Sequence, residues 1–117
     1  MRQPKPFFID DGPGKAIGIN LFIGKRPTAA FGNSGSADLK AGDAQMLEWT
    51  QAGDGARLMM LVHHDDAQRE YAYGPAGGLP DTSVGTFSET LMTEANKSGW
   101  IVISMKDDWK HIFPFDQ

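Results

Sequence analysis

From Arg57 to Val62 the chain reads Arg-Leu-Met-Met-Leu-Val, with glycines at Gly53 and Gly55 before it and His63-His64-Asp65-Asp66 after it. A near-continuous apolar run closed by turn-forming and charged residues is the pattern of a strand buried on both faces, as in parallel sheets. Parallel neighbours need long crossover connections, usually helical. The flanking sequence supplies them. From Lys15, the residues Ile17, Leu21 and Phe22 fall at helical spacing and Gly24 provides a stop. Thr28 to Phe31 reads as a short buried parallel strand, and Asp43 to Gln51 as a helix closed by Ala52-Gly53. In that helix Asp43 sits near the positive N-terminal end, and Met46, Leu47 and Trp49 or Thr50 form the inward stripe. Ala67 to Tyr73 reads as a short helical turn, and Pro75 to Gly85, rich in Gly and Pro, as a loop. Thr86 or Ser88 caps a helix to about Lys97, with Phe87, Leu91, Met92 and Ala95 inward and Gly99 at its end. Trp100 to Met105 is a last apolar strand. Phe7 to Asp10 reads as a strand stub ahead of the Asp11-Gly-Pro-Gly turn, and the tail from Lys106 as a packed turn.

Helix and strand therefore alternate. The expected architecture is one small three-layer α/β domain, a partial Rossmann-like unit with a mainly parallel sheet of three to four strands. Ligands in such sheets sit at the carboxyl ends of the strands. That edge would carry Asn33, Ser34, Asp43, His63, His64, Asp65 and Asp66.

The 117 residues carry a formal charge of −4, with 40% hydrophobic and 22% charged residues. This is a globular composition, and its sign and scattered basic residues argue against nonspecific binding to nucleic acid or to anionic membrane. No cysteine is present, so disulfides and thiolate metal sites are excluded. The start, Met-Arg-Gln-Pro-Lys-Pro, has no apolar signal core, and no segment approaches bilayer-spanning length. A cytoplasmic, self-sufficient chain is the expectation.

Read by themselves, the polar groups have plain explanations. Lys15 is a solvent-facing helix residue. His63 and His64, adjacent on a strand, point opposite ways and do not share an ion, so His63-His64-Asp65-Asp66 reads as a loop whose polar groups cap the next turn. Gly12, Gly14 and Gly18 miss the dinucleotide spacing, and no Walker pattern precedes Lys15. Ser34, His64 and Asp66 could spell a triad, but there is no nucleophile elbow. Trp49, Trp100 and Trp109 read as packing residues.

Taken together, Lys15 in Gly-Pro-Gly-Lys, the strand ending in Gly32-Asn33-Ser34 and the Gly42-Asp43 that opens a helix resemble the C-terminal half of a haloacid dehalogenase-like phosphatase. The downstream Val-His-His-Asp-Asp-Ala-Gln-Arg-Glu-Tyr-Ala-Tyr and Trp-Ile-Val-Ile-Ser-Met-Lys-Asp-Asp-Trp-Lys resemble a bacterial branch of it. The resemblance implies that Lys15 is the catalytic lysine, that Asn33, Asp43 and Asp38 belong to a Mg²⁺-holding acidic loop, and that Ser34 contacts phosphate. Two features depart from the family. Its Asp-x-Asp-x-Thr/Val nucleophile motif does not occur, and Gly-Ser-Ala-Asp-Leu-Lys-Ala separates Ser34 from Gly42 where relatives have one tight loop. The implied function is a phosphatase-related domain, inactive alone and acting as a binding or interaction module. The alternatives are a phosphate-ester hydrolase completed by another chain, or an unrelated small α/β ligand-binding protein. Without its usual neighbour, the Thr28 to Phe31 strand has an open edge, which predicts a homodimer or a complementary chain paired there.

Overall fold

The computed structural model describes residues 5–6, 8–83 and 85–116. Helix α1 spans Pro13–Phe22, strand β1 Ala29–Gly32, helix α2 Ala44–Gln51, strand β2 Leu58–His63, helix α3 Glu89–Ser98 and strand β3 Ile101–Ser104. A 3-10 turn, Ala76–Gly78, lies between β2 and α3. The sheet is three-stranded in the order β1-β2-β3, and both pairings are parallel. The α/β class and the all-parallel sheet are as the alternation of elements requires.

Register decides which residues share a face. Ala30 lies beside Met59, and Leu61 beside Val102. With the two-residue period of a strand, these four side chains line one side of the sheet. Against them pack Ala44 and Leu47 of α2, Leu91 and Ala95 of α3, and Phe87 and Trp100. Leu47, Leu61, Phe87 and Leu91 are completely buried, each contributing about 1.5–3 kcal/mol of transfer free energy. Gln51 ties the two helices together, donating to the Ser98 carbonyl and accepting from the Trp100 indole.

The other side of the sheet is different. Phe31 is 59% exposed, Ile101 47% and Leu58 36%. Helix α1 packs on α2, and Ile17, Leu21 and Phe22 remain exposed. The spacing that marks these three as one helical face is real, but that face points outward. Gly14 and Gly18 are buried instead. A Cβ at Gly14 would lie 2.2 Å from the Ile9 carbonyl oxygen, and one at Gly18 3.0 Å from the Phe8 ring, so α1 presses its glycines on the segment that precedes it.

Several local expectations are corrected. Phe8 to Asp10 is not a strand, and Phe7 lies outside the described residues. The short helical turn expected over Ala67 to Tyr73 is confined to residues 67–69, where the Asp66 side chain accepts from the Gln68 and Arg69 amides and its carbonyl accepts from the Glu70 amide. Trp109 is about half exposed, whereas Trp100 is buried and Trp49 half-buried. Among the described residues no helix is long and apolar enough to cross a membrane.

Candidate functional site

The carboxyl end of β1 is organised around one carboxylate. Asp43 is 6% exposed, and a carboxylate this deep must be paired. Its Oδ1 accepts from Lys15 Nζ at 2.5 Å. Its Oδ2 accepts from the Asn33 amide at 2.9 Å, the Ser34 amide at 3.1 Å and the Ser34 hydroxyl at 3.3 Å. Asp43 stands at the N-cap position of α2, yet its side chain makes no cap hydrogen bond. The helix terminus is left to the backbone while the carboxylate turns to the strand end. Gly32 permits this approach. A Cβ there would lie 2.5 Å from the Cβ of Asp43.

The insert between Ser34 and Gly42 does not disturb this knot because it loops away from a pinched base. Gly35 and Gly42 form an antiparallel bridge, and the Asp43 amide donates to the Ser34 carbonyl at 2.8 Å. Gly42 has φ +90°, and a Cβ on it would sit 2.5 Å from the Ser34 carbonyl oxygen, so the base closes only with glycine there. Asp38 stays within the insert, exposed, accepting from the Ser36 hydroxyl and the Lys40 amide. These bonds, led by the Ser36 hydroxyl, hold its carboxyl below the usual range. Asp38 shares no hydrogen-bond partner with Asp43.

His63 ends β2 and His64 follows it, and the two rings meet different neighbours. His63 is buried with its ring 4.7 Å from that of Phe87. His64 stacks on Tyr73 at 4.8 Å and 15°, with Nδ1 3.1 and 3.0 Å from the two carboxylate oxygens of Glu70. Asp65 accepts from the Ser104 hydroxyl and the Lys106 amide. Burial pushes the Asp65 carboxyl up, and those bonds outweigh it, leaving it low. Asp66 caps the turn and pairs with Arg69, whose hydrogen bond holds the Asp66 carboxyl low. Arg69 also donates to the carbonyls of Met105, Lys106, Trp109 and Lys110. His64 and Asp66 therefore serve different neighbours, and Ser34 turns to Asp43, so no triad forms.

The structure brings Lys15, Asn33, Ser34 and Asp43 together and leaves Asp38 apart. Beside them is a cavity of 370 Å³ lined by Asp11, Ser34, Ser36, Gly42, Ser83 and Thr86, among others. Two residues that sequence reasoning passed over join the strand ends. The Asn33 side-chain amide donates to the Tyr73 hydroxyl at 2.9 Å, and Tyr73 leads to His64 and Glu70. The available signal was Arg69-Glu70-Tyr71-Ala72-Tyr73 itself, an acid and two aromatics shortly after the histidine pair. No known family model matches the chain, and no curated protein is significantly similar to it.

Proposed function

We propose that this chain is a haloacid dehalogenase-like, phosphatase-related domain that lacks the catalytic carboxylate and acts as a binding and interaction module. The observation that carries this reading is the Lys15–Asp43 pair at 2.5 Å, closed over the Asn33-Ser34 amides at the end of β1. The contact between Lys15 and Asp43, the lysine and the acid of the resemblance, supports the reading. With no nucleophilic aspartate to neutralise, the ammonium is balanced by Asp43 at 2.5 Å and, further off, by Asp11 at 3.9 Å. In the adjacent cavity the hydroxyls of Ser83 and Thr86 are donors suited to a phosphate group, and Ser34, whose hydroxyl is 3.3 Å from Asp43, lines the same cavity.

A resident Mg²⁺ does not fit this donor set. Both oxygens of Asp43 are taken by N–H and O–H donors, Asp38 is engaged in its own turn, and Mg²⁺ demands near-ideal octahedral oxygen geometry.

A second reading, a phosphate-ester hydrolase completed by another chain, is favoured by the exposed sheet face of Phe31, Leu58 and Ile101 and by β1 lying at a sheet edge. An open edge next to apolar surface invites strand addition by a partner or by a second copy. The test pairs turnover with binding. The chain alone, with Mg²⁺ and an aryl phosphate, is expected to give no turnover. Calorimetry is expected to show inorganic phosphate binding that falls in Ser34→Ala. Turnover abolished by Asp43→Asn overturns the module reading. Light scattering at micromolar concentration reads the dimer, and a monomer there removes the self-pairing of β1.

A further inference from the structure

His64 is arranged as a nucleophile, and the Lys15–Asp43 site makes no use of it. We propose that Nε2 of His64 accepts a phosphoryl group from a small phosphoryl donor, an inference that rests on the phosphate-handling reading above and gives the module a chemical step of its own.

A carboxylate only accepts hydrogen bonds, so the Nδ1 that faces Glu70 carries the ring hydrogen and Nε2 presents its lone pair. The Glu70 side chain is 12% exposed. Among the described residues the His64 ring is its one side-chain partner. Burying an acid this far is costly unless it serves a partner. Here the acid fixes the tautomer and stands ready to balance positive charge on the ring, the role of the acid in a nucleophile–base–acid array. The ring is also held from the side. Tyr73 stacks on it, and the Tyr73 amide donates to the His64 carbonyl at 3.1 Å. Such preorganisation lowers the entropic cost of attack.

Access separates His64 from its neighbour. Nε2 of His63 is buried and unpartnered, sealed from any donor. Nε2 of His64 has no partner among the described residues and is not sealed, the side chain being 23% exposed. Tyr73, stacked on the ring, accepts from Asn33 through its hydroxyl and so keeps its own hydrogen to donate. A lone imidazole is a poor metal site, and among the described residues no three ligating side chains gather.

With acetyl phosphate as donor, the Nε2 lone pair forms the N–P bond and the bridging P–O bond breaks. Acetate leaves with that electron pair, while the Nδ1 hydrogen stays between the ring and Glu70, which balances the cationic phosphoimidazole.

The experiment incubates the full chain with acetyl phosphate and reads intact mass, then maps the modified peptide. One phosphoryl group is expected, on His64, lost in mild acid and retained in base. Labelling is expected to slow by about tenfold or more in Glu70→Gln and to vanish in His64→Asn, with melting curves confirming that both variants fold. No mass gain in wild type overturns the proposal, as does a label mapped to His63, His111 or a hydroxyl residue. Because the wild-type map needs no variant, misfolding of either mutant leaves the test intact. Phosphate binding that depends on Ser34, without a label on His64, overturns this inference alone. A label on His64 without that binding overturns the reading beneath it.

Discussion

Helix α3 starts on the Ser88 hydroxyl, which accepts from the Leu91 amide, ends on the left-handed Gly99, and buries Leu91 and Ala95. Helix α1 has the same ten residues of length. It starts on Gly12 without a side-chain cap and buries only glycines, while Ile17, Leu21 and Phe22 are more than half exposed. Capping and core burial make α3 part of the cooperative unit. α1 is held by its glycine contacts, its packing on α2 and the bond from Lys15 to Asp43. The site's cation thus rides on the helix with less support of its own, and the ion pair fastens that helix as much as it defines the site.

Three substitutions measure the contrast. Leu91→Ala opens a cavity in a fully buried position and is expected to cost about 2–5 kcal/mol in denaturant unfolding. A cost below about 1 kcal/mol would mean that α3 is no better anchored than α1. Lys15→Met removes a charge-assisted bond to a buried carboxylate that keeps its three other donors. The expected cost is about 2 kcal/mol, with faster hydrogen exchange at α1 amides while α3 amides hold. Uniform loss of protection in both helices would erase the distinction. Leu21→Gln, on the exposed face of α1, is expected to change stability by less than about 0.5 kcal/mol. A larger cost would show that something covers that face in solution.

The same contrast explains what was legible in the residues. The apolar run at Arg57 to Val62 foretold β2, seen at Leu58–His63, because a strand buried in the middle of a sheet carries its environment in its composition. Ser88 and Gly99 marked the ends of α3, since capping is local chemistry. For α1 the period was legible and the direction was not. Periodicity reports which residues share a face, and only tertiary packing decides what that face meets. β1 is similar: Ala30 is buried as expected of a core strand, but Phe31 is exposed because no layer among the described residues covers its side. In the site, Lys15, Asn33, Ser34 and Asp43 could be named because they are carried by motif. Glu70 and Tyr73 could not, since their partners lie six and forty positions away. The bond from Asn33 to Tyr73 exists only once β1 and β2 are side by side.

Strand order and chain order coincide here, β1 beside β2 beside β3. During synthesis each strand that emerges finds its neighbour already made, and no later segment has to be threaded between two earlier ones. The sheet can therefore be laid down vectorially, one strand at a time. The separations between paired residues are long enough to slow closure, as in other parallel sheets, and β3 is the strand that completes the Asp65–Ser104 contact. An intermediate stalled before β3 would expose both edges of a two-stranded ribbon. The interval between release of β2 and arrival of β3 is the period in which this chain is most open to aggregation.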